Sequence, residues 1–347
     1  MNYSRVHVAS IGYELAPVVV SSEELEERLG PVYEALHFSP GQLEALTGIA
    51  ERRWWEREYP VSAGAAVAAR KAMSTAGVGA GDIGAVLYTG VNREQYEPAT
   101  ACRVAAELGI GRSAAIYDIS NACLGVLNGM LDVANRIELG QIRAGLVVSC
   151  ETAREINETM IERMIEDRSM EFFTKSLATL TGGSGAAAVL LTDESLAGGP
   201  TTRLLGGVIE AAPEHHALCR WGLAPEGNGA ARALMYTDAP SVLRHGVELG
   251  KRTWARFLDA MGWTADDLDK VICHQVGQAN KDSILRAIGV PEEKDFSTYE
   301  FLGNMGTVSL PITAALAAER GFLERGDRVG FLGIGSGLNC MMLGLAW

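Results

Sequence analysis

Residues 268–274 read Leu-Asp-Lys-Val-Ile-Cys-His, and residues 83–89 read Ile-Gly-Ala-Val-Leu-Tyr-Thr. Each is a short apolar run ending on a polar residue, the pattern of a strand buried on both faces. What precedes them matches too. A helical pattern over 62–76 leads through Gly77 and the acidic turn Gly81-Asp82 into the first run. A helical pattern over 242–261 leads through Gly262 and Asp266-Asp267 into the second. In the latter, Leu243, Val247, Gly250, Trp254, Phe257 and Met261 recur at three- and four-residue steps and give one buried face. Thr89 and His274 therefore close equivalent strands.

The units that follow also correspond. Residues 117–150 give a loop with Cys123, a helix over 124–139, Gly140 and a strand through Leu146-Val147-Val148. Residues 299–335 give a loop with Asn304, a helix over 311–319, Gly326 and a strand through Gly330-Phe331-Leu332. Strands are predicted at 85–89, 145–150, 186–192, 271–273 and 329–334. The class is α/β, built as a twofold repeat of an N-terminal half (1–195) and a C-terminal half (196–347). The Gly-, Pro- and Ala-rich connection around 193–240 is the predicted seam. A helical insert over about 151–181 interrupts the alternation. Its Met160, Met164, Met170, Phe172 and Phe173 fit an apolar channel, a subunit interface or ordinary packing equally well.

The bulk composition narrows the function. The chain has 347 residues, 48% of them hydrophobic, enough for a large core. A net charge of −13 argues against nucleic acid or an anionic membrane surface as partner. The N-terminus lacks the layout of a signal peptide, and no apolar run has the length of a membrane span. Six cysteines are scattered without CxxC spacing, so free thiols in a reducing compartment are expected, with no disulfide scaffold and no metal site. The expected location is the cytoplasm.

Four positions could carry chemistry. Cys123 directly precedes the helix over 124–139, where N–H groups and the helix dipole would favour thiolate; a small buried cysteine is the plainer reading. His274 leaves a buried strand into a polar segment and could act as base or hydrogen-bond donor, or be a satisfied core histidine. Asn304, in Gly-Asn-Met-Gly, could donate to a developing enolate oxygen or cap a helix. Gly333-Ile-Gly-Ser-Gly-Leu-Asn339 tempts a dinucleotide reading, but no βαβ unit and no acidic residue follow it. A tight turn offering N–H groups to an oxyanion fits better. Glu97 alone is an ordinary loop carboxylate.

Taken together, Ser-Asn-Ala-Cys at 120–123, Ile-Cys-His-Gln at 272–275, Gly-Asn-Met-Gly at 303–306 and the closing Gly-Ile-Gly-Ser-Gly resemble the thiolase superfamily. Thr-Gly-Ile-Ala-Glu-Arg-Arg at 47–53 resembles the early segment of ketoacyl synthase III-type enzymes, although Leu46 stands where those usually carry an arginine that contacts coenzyme A or a carrier protein. Within the superfamily the chain is most similar to the OleA-like family, the head-to-head acyl-CoA condensing enzymes of olefin biosynthesis. The shared features are Glu-Pro-x-Thr-Ala at 97–101, Asn-Ala-Cys-Leu at 121–124, Leu-Gly-Ile-Gly-Ser-Gly-Leu-Asn-Cys at 332–340 and the spacing from Glu97 to Cys123.

The resemblance implies a five-layered αβαβα thiolase fold, a homodimer and Claisen chemistry on acyl thioesters, with coenzyme A thioesters as substrates and no cofactor. It makes Cys123 the acyl carrier, and His274 and Asn304 the donors to the enolate-forming oxygen. Backbone N–H groups of Cys123 and of the Ser336-Gly337 turn would form the oxyanion hole. Glu97 would enter the partner subunit's site and remove an α-proton. A malonyl donor makes its carbanion by losing carbon dioxide, whereas an ordinary acyl-CoA needs a positioned base, so the added carboxylate favours non-decarboxylative condensation. Such enzymes usually pass their product to downstream pathway proteins. The competing implications are decarboxylative condensation of acyl-CoA with a malonyl thioester, a hydroxymethylglutaryl-CoA-type synthase, and a non-catalytic subunit.

Overall fold

The computed structural model describes residues 1–197, 201–225 and 230–347. Strands β1 (His7–Leu15), β2 (Val18–Ser21) and β3 (Glu51–Trp54) come first. They are followed by β4 (Ile83–Tyr88), β5 (Ala115–Asp118), β6 (Ala144–Glu151) and β7 (Gly185–Thr192). Next are β8 (Thr202–Ala211), β9 (Cys219–Pro225) and β10 (Ala231–Thr237). The last three are β11 (Lys270–Cys273), β12 (Arg328–Gly335) and β13 (Asn339–Ala346). Four of the five strands predicted from the sequence lie within one of these, the fifth (85–89) runs one residue past the end of β4 at Tyr88, and the two matched apolar runs contain β4 and β11.

Nine strands form one sheet in the order β11-β12-β13-β8-β1-β7-β6-β4-β5. The pairing repeats across it. β4 pairs β6 in parallel, and β6–β7 and β7–β1 are antiparallel. β11 pairs β12 in parallel, and β12–β13 and β13–β8 are antiparallel. Where β5 flanks β4, Asp295 makes a single parallel bridge to Val271 of β11. The two sets meet where His7 pairs with Arg203 and Val8 with Thr202.

The cores define the layers. The helix Val61–Ala76 packs its alanines against Val86, Leu146, Val148 and Leu190 on the outer side of the first set. The helix Ala239–Met261 covers Val271, Leu332, Cys340 and Met342 on the outer side of the second. Between them lie the helices Gly125–Glu138 and Ser309–Glu319. Their Leu127, Val133, Ile137, Leu310 and Ala314 share one core with Leu87 and Val147 on one side and Ile272, Phe331 and Leu343 on the other. Sheets covered on both faces explain why β6 and β7 are buried along their whole length and read as unbroken apolar runs.

Two sequence expectations change. The predicted seam at 193–240 holds the ten-residue strand β8, which pairs with β13 and belongs to the sheet. Helix Ala239–Met261 also starts three residues before the predicted 242. Asp238 caps it by accepting from Ser241 N at 3.2 Å, and Pro240 sits in the first turn, where no intrahelical N–H bond is lost. The insert forms helices Arg154–Glu166 and Met170–Ser176. Met160, Met164 and Phe173 pack with Leu25, Leu29 and Trp54 in a separate cap core, so ordinary packing is their role.

Candidate active site

The end of β11, the turn before helix Gly125–Glu138 and the Gly-Asn-Met-Gly loop converge on one cavity of about 890 Å³. Cys123, His274, Asn304 and Ser336 all line it. Its walls are largely apolar, from Ile156, Leu177, Met235, Leu243, Ile284 and Met342. Volume and lining suit a ligand with a long hydrocarbon part.

Cys123 sits in the 3₁₀ turn Ala122–Leu124 that feeds the helix Gly125–Glu138. Ala122 has φ +44°, a left-handed conformation that costs about 1–3 kcal/mol for a residue with a Cβ. The surroundings hold it there. Leu124 N donates to Asn121 O at 2.9 Å, and Asn121 Nδ2 donates to Asn128 Oδ1 at 2.6 Å. From the other half, Asn339 Nδ2 donates to Asn121 Oδ1 at 3.0 Å. The Gly-rich turn lies so close that a Cβ added at Gly335 would sit 3.4 Å from Cys123 N. Ser336 reaches the cavity wall, whereas Gly337 is not among the lining residues.

The electrostatics reverse one expectation. Burial, followed by the nearby Cys219 and Glu151, pushes the Cys123 thiol up to about 12. The helix start does not overcome that burial, which favours the neutral thiol. Burial also pulls His274 down to about 4. Its backbone N is anchored to Leu332 O at 2.9 Å, and its Nδ1 has no hydrogen-bond partner among the described residues. A neutral imidazole can donate one N–H to an oxyanion and can take the thiol proton once the nucleophile attacks.

Asn304 is tied at both backbone ends, with its N donating to Thr181 O at 2.8 Å and Gly183 N donating to its O at 2.9 Å. Its side-chain Oδ1 accepts from Gly306 N at 3.0 Å, which leaves Nδ2 as the donating end of the amide. The cap of the following 3₁₀ turn is Met305, so Asn304 is not the helix cap that sequence also allowed.

Glu97 is exposed and is not among the residues lining the cavity of its own chain. It follows Tyr96, 97% exposed, at the tip of a loop whose root residues Val91 and Asn92 do line the cavity. At the cavity, Leu46 presents an apolar surface, and the cationic lining residues are Arg220 and Lys281. Arg52 is fully buried and donates to Ser22 Oγ at 3.0 Å, which removes it from contact with an incoming ligand. Sequence reasoning missed Glu151, a buried carboxylate that closes β6 and lines the cavity.

A family described as 3-oxoacyl-(acyl-carrier-protein) synthase III, C terminal, matches residues 258–347. An acyl-CoA:acyl-CoA alkyltransferase of Shewanella oneidensis is 58% identical over the whole of both chains. One of Xanthomonas campestris pv. campestris is 36% identical, again over the whole of both. The chain belongs to the acyl-CoA:acyl-CoA alkyltransferase family. Crystal structures of Xanthomonas campestris OleA match the whole chain at a TM-score of 0.93 and 36% identity, covering 98% of the solved chain; in one of them cerulenin is bound. Another, with lauric acid and lauroyl-CoA bound, matches at 0.92, covering 99% of this chain and all of that one. As in the rest of the alkyltransferase family represented by OleA, the fold is the thiolase fold, and the layers described above are its αβαβα stack.

Proposed function

We propose that this chain joins two fatty acyl-CoA molecules head to head, without loss of carbon dioxide, to give a 2-alkyl-3-ketoacyl product. The observation that carries this reading is the convergence of Cys123, His274 and Asn304 on one apolar cavity while a carboxylate, Glu97, stands on an exposed loop outside it. The named activity of the relatives and the lauroyl-CoA held by OleA support the substrate class.

In the first step the Cys123 sulfur attacks the thioester carbonyl of one acyl-CoA and its proton passes to His274. The tetrahedral oxyanion is met by the Cys123 N–H and the N–H groups of the Ser336-Gly337 turn. Coenzyme A leaves and takes up that proton. A second acyl-CoA then loses an α-proton to Glu97 of a second copy of the chain, and His274 and Asn304 donate to the enolate oxygen. The enolate carbon attacks the acyl-Cys123 carbonyl, the C–S bond breaks, and the released thiolate takes up a proton as Glu97 gives up the one it removed, so both groups return to their starting states. Hydrolysis of the remaining thioester gives the free ketoacid.

The reading carries several parts with it. The working unit is a homodimer, in which Glu97, exposed and outside the lining of its own cavity, serves the cavity of the second copy. The two pseudo-repeated halves divide at about residue 195. No cofactor beyond the coenzyme A carried by the substrates is required. Among the described residues no helix is long and apolar enough to cross a membrane, in keeping with a cytoplasmic enzyme that hands a β-keto acid to downstream enzymes of olefin biosynthesis.

The test is purified protein with a long-chain acyl-CoA and no malonyl donor. Free coenzyme A together with a doubled-chain β-keto product is the expected result. Strict dependence on a malonyl thioester, with carbon dioxide released, would replace this reading by the ketoacyl synthase III-like one.

A further inference from the structure

Glu151 ends a strand buried along its entire length and is itself only 4% exposed. Removing a carboxylate from water is costly unless its charge is compensated. Here its oxygens face backbone N–H groups. Val91 N donates to Oε1 at 2.9 Å and Asn92 N approaches Oε2 at 3.3 Å. The Thr307 backbone also favours the charged carboxylate. These groups come from two different loops. Val91 and Asn92 begin the loop that carries Glu97, and Thr307 follows the Gly-Asn-Met-Gly loop.

The second contact is close. Gly306 has φ +57°, and a Cβ there would lie 3.3 Å from Glu151 Oε1. The same Gly306 donates its N–H to Asn304 Oδ1 at 3.0 Å, fixing which end of the amide can donate. Thr307 reaches further, accepting from Val126 N, three residues beyond Cys123, at 2.7 Å. Asn92 in turn accepts from Thr152 N at 3.2 Å, which returns the loop root to the end of β6.

We propose that Glu151 is a positioning residue for carbon–carbon bond formation: its carboxylate clamps the root of the Glu97 loop to the turn that orients the Asn304 amide. The inference rests on the condensation reading above. It assigns Glu151 no contact with substrate. It sets, in one group, the placement of the base loop and of the enolate donor. Burial lifts the Glu151 carboxyl from 4.5 to about 7, so the clamp's charged form is gained around neutral pH. The other titratable groups coupled to it are Tyr88, Cys123 and Cys150, all pushed up by burial and neutral in that range.

The experiment compares wild type, Glu151→Gln and Glu151→Asp with one long-chain acyl-CoA. Acylation of Cys123 is read by intact-protein mass, and the doubled-chain product by single-turnover chemistry across pH 6 to 8.5. Glu151→Gln should acylate Cys123 to wild-type stoichiometry and lose about 100-fold in condensation, the scale of a misplaced catalytic group. Condensation by the wild type should rise with pH around 7, and that of Glu151→Gln should not. Glu151→Asp, which keeps the charge but not the reach, should fall between the two. Condensation by Glu151→Gln at the wild-type rate and pH profile overturns the inference alone, as does parallel loss of acylation and condensation in both variants. A wild-type protein that forms acyl-Cys123 but no doubled-chain product overturns the condensation reading and this inference with it.

Discussion

Asn339 Nδ2 donates to Asn121 Oδ1 at 3.0 Å, a bond between residues 218 positions apart that ties the Gly-rich turn of the second half to the nucleophile loop of the first. Asn121 passes the restraint on to Asn128 at 2.6 Å, on the helix that follows Cys123. Glu138, near the far end of that helix, is held by Ser4 and Arg5. The sulfur therefore stands at one end of a braced helix.

Asn121→Ala should release this brace. The two hydrogen bonds lost are worth about 1 kcal/mol each. Acylation of Cys123, timed by mass after mixing with acyl-CoA, should slow by about tenfold or more as the sulfur wanders from its attack geometry. Wild-type acylation by this variant would show that the brace is irrelevant to the nucleophile.

The neutral resting thiol gives a pH signature. With Cys123 pushed up to about 12, its thiolate fraction grows throughout the alkaline range. Alkylation by iodoacetamide, mapped to the Cys123 peptide, should rise about tenfold per pH unit from 7 to 10. A plateau below pH 8.5 would mean a stabilised thiolate. The exposed Cys102 supplies an internal reference for an ordinary thiol.

Delivery of Glu97 from a second copy predicts complementation. Glu97→Gln and Cys123→Ala should each abolish condensation when alone, by about 10²–10⁴-fold for loss of a general base in the former. Mixed and re-equilibrated dimers should regain activity, because one of their two sites joins an intact Cys123 to an intact Glu97. Failure of every mixing ratio to restore product would place the base in its own chain.

Glu151 also links stability to pH. Its carboxyl is raised in the folded state from 4.5 to about 7, so the folded protein binds the proton more tightly than the unfolded chain. That stabilisation is full below pH 4.5 and is lost as pH rises to 7, amounting to about 3 kcal/mol at 1.36 kcal/mol per unit. His274, lowered to about 4, has the opposite slope between pH 4 and 6.5. The comparison of wild type with Glu151→Gln cancels the histidine. Melting measured from pH 5 to 7.5 should fall more steeply for the wild type, and parallel curves would contradict the assigned burial.

Much of this was legible in the sequence, for identifiable reasons. Strands β4 and β11 announce themselves because burial on both faces demands unbroken apolar runs. Their matched surroundings then place Cys123, His274 and Asn304 at comparable chain positions. Strand β8 stayed hidden because Gly206-Gly207 inside it reads as loop, yet these glycines lie against Met1 and Leu343 with no room for a Cβ. Glu151 carried no signal, since its partners are backbone N–H groups about 60 residues earlier, and backbone donors have no sequence identity. The direction of the Cys123 shift was misread for a similar reason. A helix start is visible in one dimension, and depth of burial is not.

The central helix layer has a consequence for how this chain can change. Helix Gly125–Glu138 buries Val126, Leu127, Met130, Leu131, Val133, Ala134 and Ile137, which together cover more than one face. A single sheet can cover only one of those faces, and the other rests on residues from beyond position 270. Residues 1–195 expressed alone would leave that face bare and would aggregate or stay unfolded. The two matched units are thus indivisible, and substitutions in either are answerable to the core of the other.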